Sequence, residues 1–320
     1  MEKNIKKISD HFNIDQKQIT TMSTGYQNEV YLCKGIDKDW IVRLSDGTRR
    51  TKAELTGELE FLELLKENEV TVAGPMYSDV IELEEKIYLC AFEKAEGNVI
   101  DVTDKKIWNK VMFYNWGKMM GRIHRLSNRL PNINRKNWKR NSEQLYRMNQ
   151  SGLEDFVYQK YSFLRKEVDQ FENDDSVFGL IHNDFHQGNF HVKNNSIILF
   201  DFDDCAYNWF AQDLATSIFH AYWQSQSFLQ LAEPFSTYFI EPFLEGYRSE
   251  HTLSENILKQ IPLFLLLRDI FLYSLFKKTW IQDEMEDWQF YTVQEIELRI
   301  KSGKIIGQMN QEFWSKFYQR

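Results

Sequence analysis

Between residues 181 and 204 the chain reads Ile-His-Asn-Asp-Phe-His-Gln-Gly-Asn-Phe-His-Val, then Lys193-Asn-Asn-Ser196, then Ile-Ile-Leu-Phe-Asp-Phe-Asp-Asp. Asp184 is a candidate general base toward a hydroxyl. Asn189 follows it by five residues, and Asp201 closes the next apolar run. An amide oxygen and a carboxylate are hard ligands, and Mg²⁺ takes a few of these together with waters and phosphate oxygens. Base, ligand, ligand in that order is the order of groups used for phosphoryl transfer. Any one of the three alone is an ordinary turn residue, because Asp and Asn side chains bond their own backbone. The ordered set is not accounted for in that way. His182, His186 and His191 invite a zinc reading. Gly188 and the strand-like surroundings argue against the shared helix face that such a site would use, and no cysteine lies at ligand spacing.

These groups need strands to hold them. Val177 to Ile181 and Ile197 to Phe200 are β-branched or aromatic runs of strand length, bounded by glycines and by Asn194-Asn195. A hairpin centred near those two asparagines would set Asn189 beside Phe200 and Asp201, so that amide and carboxylate converge. Upstream, Ile19 to Cys33 reads strand, turn, strand, with Ser23, Thr24 and Gly25 in the turn and Asn28 opening the return. Hydroxyls and backbone N–H groups of such a turn can cover phosphates. Asp39 to Gly47 is a further strand carrying Arg43 among apolar neighbours, and 50–68 has the helical spacing Leu55, Leu59, Leu62, Leu65. Arg43 is the candidate phosphate-side cation. Glu58 is its candidate partner, in competition with Glu54, Glu60 and Glu63. A second hairpin spans Val80 to Phe92, and Phe92, Glu93, Lys94 and Ala95 would form a linker able to read an adenine edge.

Composition narrows the class. The chain has 320 residues, 42% hydrophobic and 27% charged, enough for one large domain or two joined lobes. A formal charge of −8 disfavours general nucleic-acid binding, which needs a basic face, and is compatible with cationic ligands. Cys33, Cys90 and Cys205 are odd in number and show no paired spacing, which fits a reducing cytoplasm. The expectation is a cytoplasmic protein without a membrane segment, since the longest apolar stretch, Ile261 to Leu267, is short and contains Pro262.

Ser23-Thr-Gly25, Ile41-Val-Arg-Leu44, Glu58 with Phe61-Leu-Glu-Leu-Leu65, Gly117 to His124, Ile181 to Asn189 and Phe200 to Cys205 together resemble the aminoglycoside phosphotransferase and choline kinase-like family. That resemblance spans about residues 20 to 250. It implies an α+β, bilobal protein-kinase-like fold, with a small N-terminal antiparallel sheet lobe and a larger, mainly helical C-terminal lobe. The corresponding domains are 1–95, binding nucleotide, and 96–320, carrying catalysis and the acceptor. It implies ATP (or GTP) as phosphoryl donor with Mg²⁺, Asp184 as base, and Asn189 and Asp201 as metal ligands. Asp203 matches a further acidic residue some members carry and is a third candidate metal ligand, and Asp213 matches one that braces the catalytic loop. His124 matches a structural histidine. Expected partners are the nucleotide and a small-molecule acceptor, cationic ones included (aminoglycoside, choline or homoserine-like), in a monomer or homodimer. A protein Ser/Thr kinase on the same scaffold and a non-catalytic, spore-coat-like protein are the alternatives.

From Gln212 the pattern is helical, over 214–223, 229–247, 254–277 and 288–318, with Pro234, Pro242 and Pro262 as turns or kinks. Two aromatic groups there are acceptor candidates: Tyr207, Trp209, Tyr222 and Trp223, then Trp280 and Trp288 with Asp283, Glu284 and Asp287. Helix packing with a solvated acidic face is the competing reading.

Overall fold

A computed structural model describes residues 2–24, 28–127, 129–172 and 174–318, with the side chains of Ser23, Thr24 and Gln282 excepted. In chain order the helices and strands are α1 (Glu2–Phe12), β1 (Ile19–Thr24), β2 (Glu29–Cys33), β3 (Trp40–Asp46), α2 (Lys52–Glu67), β4 (Ile81–Glu84), β5 (Ile87–Glu93), α3 (Lys110–Ser127), α4 (Trp138–Leu145) and α5 (Asp155–Val168). They continue with β6 (Phe178–Ile181), β7 (Phe190–Lys193), β8 (Ser196–Leu199), β9 (Ala206–Trp209), α6 (Phe210–Phe228), α7 (Glu241–Arg248), α8 (Glu255–Thr279), α9 (Asp287–Ser302) and α10 (Gln311–Ser315). Contacts group these into two compact units. One is Met1–Asn98 with Leu130–Arg135 and Ile198–Asp203; the other is Val99–Arg129, Lys136–Ile197 and Asp204–Arg320.

The first unit is built on a five-stranded sheet in the order β1-β2-β3-β5-β4, with antiparallel neighbours. Alternation along β2 and β3 sends Tyr31, Cys33, Val42 and Leu44 into a core shared with Leu89 and Ala91 of β5 and with Ile8 of α1. Sequence patterning gave no expectation of α1. Its short apolar stripe, Ile5 and Ile8, becomes meaningful only against that sheet. Helix α2 starts at a capping box, Thr51 with Glu54, and buries Leu55, Leu59, Leu62 and Leu65. Glu58 lies in that apolar stripe and is fully buried.

In the second unit, α3 and α7 pack closely because Gly117 and Gly246 bring backbone to backbone. A Cβ at Gly117 would come 1.8 Å from the Phe243 carbonyl oxygen, and one at Gly246 1.9 Å from that of Tyr114. Strand β6 pairs antiparallel with β9, a partner that the sequence pattern did not suggest for residues 177–181. The anticipated hairpin turn is present between β7 and β8, with Asn194 and Asn195 at φ 52° and 63°, the left-handed values two-residue turns favour. Pro262 does not end its helix. It is buried within α8, which continues to Thr279. The segment expected to be one helix over 229–247 is helical only from Ser236, beginning with a π-turn, and that expected over 288–318 breaks after Ser302, at Gly303 with φ 70°.

Helix α9 is tied to α8 by a forked pair: the Arg299 Nη2 and Nε donate to the fully buried Asp269 carboxylate at 2.7 and 3.0 Å. Burial raises the Asp269 pKa to about 6, against the opposing pull of Arg299. A folded-state pKa above the unfolded value means that the ionised carboxylate opposes folding above pH about 6, and that this opposition fades as pH falls toward the ordinary value. Arg299→Ala leaves that carboxylate without its partner. The expected loss, measured by denaturant unfolding, is about 2 to 3 kcal/mol at pH 7, discounted from a fully buried pair because Arg299 is partly exposed, and it shrinks at pH 5. A loss that grew on acidification would contradict the assignment.

Candidate active site

In the first unit a knot of charge surrounds Arg43. Its Nη1 and Nη2 donate to Glu58 Oε1 and Oε2 at 2.8 and 2.6 Å, a bidentate pair within the core. Burial works against the Arg43 charge, but Glu58 and then Asp203 outweigh it and hold the pKa well above the ordinary value. Phe92 lies under the guanidinium, 5.0 Å from it. Of the competing glutamates, Glu54 caps α2, Glu63 accepts from Ser78, and Glu60 is exposed. The arrangement can hold one arginine rigidly beside whatever approaches the sheet's buried side.

Asp203 sits at the centre of the same knot. Its Oδ2 accepts from Arg49 Nη2 at 3.0 Å and Asn28 Nδ2 at 3.1 Å, its Oδ1 accepts from Arg50 Nε at 3.3 Å, and Arg43 Nη2 is 3.9 Å away. Arg135 donates to its backbone carbonyl. Burial alone would raise its pKa; Arg50, Arg43 and Arg49 hold it far below the carboxylate range. Both oxygens are thereby committed to cations and an amide. Asp201 differs: its side chain is 53% exposed, its Oδ1 lies 4.0 Å from Arg43 Nη1, and its backbone is left-handed at φ 62°. Aspartate tolerates that region at some cost, and such local strain accumulates at functional positions.

The remaining described candidates of this unit lie in its sheet or directly flank its strands. Ser23 and Thr24 belong to β1, opposite Val30 and Glu29, rather than to the turn expected for them, after a register shift beyond Thr21. Gly25 lies outside the described residues. Asn28 spends its amide on Asp203 and accepts from Arg49 at 3.1 Å. Glu93 closes β5, where its carboxylate accepts from the Gly74 N–H and from Lys66, and Lys94 pairs with Asp39 at 3.0 Å. Ala95 follows directly, beyond the end of the strand.

In the second unit, the loop from His182 to Asn189 is fastened from below. Asp213 of α6 accepts the His182 N–H at 3.1 Å and the Asn183 N–H at 2.6 Å, and it contacts His124 Nε2 at 3.2 Å. Burial lowers the His124 pKa while Asp213 opposes it. His124 stacks on Phe210 at 4.3 Å and bonds the Tyr247 hydroxyl, which fits the structural part expected of it. Asn183 holds φ 70° and accepts from Asn208. Phe185 is completely buried, and its carbonyl accepts from Ser217. His182 is buried too, its Nδ1 facing the Asp184 N–H.

Asp184 projects from this braced loop and keeps 24% of its side-chain surface. Its Oδ1 accepts from Arg268 Nη2 at 2.7 Å, its Oδ2 accepts from Asn189 Nδ2 at 3.2 Å, and His186 Nε2 lies 3.4 Å from Oδ2. Burial would raise this carboxylate's pKa, but Arg268 outweighs it, aided by His186, so the group stays ionised well below the usual range. Asn189 gives its amide hydrogens to the Asp184 carbonyl and carboxylate, which turns its Oδ1 away as a hard oxygen donor. Such a carboxylate is a weak base in isolation and a precise acceptor for a hydroxyl proton.

Arg268 and His220 were not among the candidates drawn from sequence. Arg268 stands in the middle of α8, and the signal for it is an adjacent arginine and aspartate within an otherwise apolar helical run. Among the aromatic candidates, Trp209 is a core residue packed against Phe178 at 5.5 Å, and Tyr222 packs on Phe235 at 5.1 Å. Tyr207 lies in β9, whereas Trp223, Trp280 and Trp288 belong to a run of rings: His186 on His220 at 4.4 Å, His220 to Trp223 at 6.1 Å, Trp223 to Phe276 at 6.4 Å, Phe276 on Trp280 at 3.9 Å, and Trp280 to Trp288 at 5.5 Å. Trp288 is 54% exposed, with Asp283, Glu284 and Asp287 exposed beside it in sequence.

Comparison with known proteins agrees with this chemistry. The model of the phosphotransferase enzyme family matches residues 18–251, and the chain belongs to that family. It is accordingly a kinase, a phosphotransferase with an alcohol group as acceptor, and it acts on a small molecule. Amicoumacin kinase of Bacillus subtilis (strain 168) is 31% identical over 265 residues, covering 78% of this chain and 77% of the relative. A solved amicoumacin kinase in complex with AMP-PNP, Ca²⁺ and Ami superposes with a TM-score of 0.84 at 24% identity, covering 99% of this chain and all of the other. A microcompartment-associated aminopropanol kinase gives 0.71 at 17% identity, covering 94% and 98%. The fold is thus α+β and protein-kinase-like, with an antiparallel sheet lobe and a mainly helical lobe. Among the described residues no helix is long and apolar enough to cross a membrane.

Proposed function

We propose that this kinase transfers the γ-phosphate of ATP (or GTP) to a hydroxyl of a small amine-bearing antibiotic or metabolite, with amicoumacin as the first acceptor to assay. The observation that carries this reading is Asp184, a carboxylate held ionised by Arg268 and Asn189 yet still partly open to a ligand. It would orient the acceptor hydroxyl and take its proton, so that positioning and electrostatics supply most of the rate. Arg43, fixed by Glu58, would steady the phosphates, as would Ser23, Thr24 and Gly25. Backbone groups of Phe92, Glu93, Lys94 and Ala95 would read the base. In this division residues 1–95 serve the nucleotide, and 96–320 the chemistry and the acceptor.

Hard oxygen donors suit Mg²⁺. The Asn189 Oδ1 and the half-exposed Asp201 carboxylate fit it, and these two would hold it. Bound there, the ion supplies positive charge to the phosphate oxygens. Asp203 fits less well, because its oxygens are spent on Arg49, Arg50 and Asn28; its part in this reading is to lock those side chains. The half-open rings from Trp223 to Trp288, with carboxylates near the far end, favour an acceptor carrying positive charge. A cytoplasmic monomer or homodimer remains the expected form.

The test is ADP release from Mg–ATP and Mg–GTP with amicoumacin, then with aminoglycosides, choline, ethanolamine and homoserine. Acceptor-dependent turnover with an amine-bearing compound is the expected result. Turnover confined to protein serine or threonine, or to uncharged sugars, would overturn the substrate class.

A further inference from the structure

We infer that Arg268 is a positioning residue for the acceptor-side carboxylate, fixing the rotation of Asp184 through a clamp completed by His220. This rests on the reading that Asp184 receives the acceptor's hydroxyl proton. Arg268 is only 3% exposed, and it lies in α8, 84 residues from its partner in the chain. Its Nη2 donates to Asp184 Oδ1 at 2.7 Å, and its Nε donates to His220 Nε2 at 3.2 Å. Arginine only donates, so His220 Nε2 must be an acceptor and its ring neutral. The face of the guanidinium is covered by Phe271 at 4.9 Å. His220 is in turn stacked on His186, whose Nδ1 accepts the Gly188 N–H at 3.0 Å and so leaves Nε2–H for Asp184 Oδ2. Fork, ring and ring leave the Asp184 carboxylate with one orientation.

A purely structural part accounts poorly for this arrangement. Burying a cation seldom gains stability over an apolar side chain of similar size. Here the buried cation is spent on a carboxylate that is still partly open to solvent, in a loop already fastened by Asp213 and Ser217. The fully buried carboxylate next to it in sequence, Asp269, is served by Arg299 instead. A lysine can reach Asp184 as a point charge but cannot fork to His220 as well.

The experiment compares Arg268→Lys, Arg268→Ala and Asp184→Asn, singly and as the double variant Asp184→Asn with Arg268→Lys. Turnover is read as ADP release from Mg–ATP, with amicoumacin and with water alone as acceptor. Arg268→Lys should lower kcat about 10- to 100-fold, the cost of a misplaced reacting group, with the KM for ATP and the melting temperature nearly unchanged. Ethylguanidinium should restore part of the Arg268→Ala activity. The double variant should be no slower than Asp184→Asn alone, because residues acting as a unit are not additive. A crystal structure of Arg268→Lys, which needs no acceptor, should show the Asp184 carboxylate rotated. Parental kcat in Arg268→Lys, an unrotated carboxylate, or failure of rescue together with a collapsed melting temperature would each overturn the inference. If Asp184→Asn itself turns over normally, the reading of Asp184 fails instead, and the two failures are told apart.

Discussion

Asp184→Asn is expected to cut turnover by roughly 10²- to 10⁴-fold, the usual cost of removing a general base, while nucleotide binding persists. The substitution keeps the side chain's size and one acceptor oxygen. It removes the charge that Arg268 and His186 face and the ability to take a proton. The nucleotide-side groups Arg43 and Glu58 hold one another without help from residue 184, so their geometry has no reason to change. The measurement is twofold: kcat from ADP release, and the thermal shift that Mg–ATP produces, since a ligand bound only to the native state raises the midpoint. A large loss of kcat with the shift retained is the expected pair of results. Near-parental turnover would remove Asp184 from the chemistry. A lost shift would mean that the loop and the nucleotide site are coupled more tightly than these contacts suggest.

Why Asp184 could be picked out of the sequence and Arg268 could not is a matter of range. Asp184, Asn189 and Asp201 fall within one stretch of chain whose strands and turns are coded locally: Asn194 and Asn195 set the turn, and β-branched residues set the strands that flank it. Arg43 and Glu58 were legible for a related reason, each being a charge at a position whose periodicity demands burial, so that each requires the other. The capping box that occupies Glu54, a local signal as well, would have separated it from Glu58. Arg268, His220 and the pairing of β6 with β9 depend on which distant elements meet, and periodicity does not carry that. Asp203 shows the same boundary from the other side. Its type and place suggested a metal ligand, and only the arrival of Arg49, Arg50 and Asn28 from elsewhere in the chain changes what its oxygens can do. For Trp209, core packing and acceptor contact stayed open in sequence for want of its neighbours, Phe178 and Phe171.

The second large effect belongs to Asp213, which touches none of the proposed reacting groups. Its carboxylate is fully buried and accepts two consecutive backbone N–H groups, those of His182 and Asn183, at the point where Asn183 turns through φ 70°. Each buried donor left without an acceptor costs about 1 to 3 kcal/mol. Asp213→Ala also deprives His124 of a partner in a buried site. Together these give an expected loss of about 4 kcal/mol and a fall in Tm of about 5 to 10 °C. Asp213→Asn should cost less, since its carbonyl oxygen can still serve one N–H while its amide hydrogens meet the other donor head-on. The informative comparison is with catalysis at a temperature where both variants remain folded. If the loop's shape is what Asp213 secures, kcat falls in both variants in step with stability while the KM for ATP stays put. A destabilised Asp213→Ala enzyme with parental kcat would mean that Asn183 and Asp184 keep their geometry unaided, which the left-handed backbone at Asn183 makes hard to sustain.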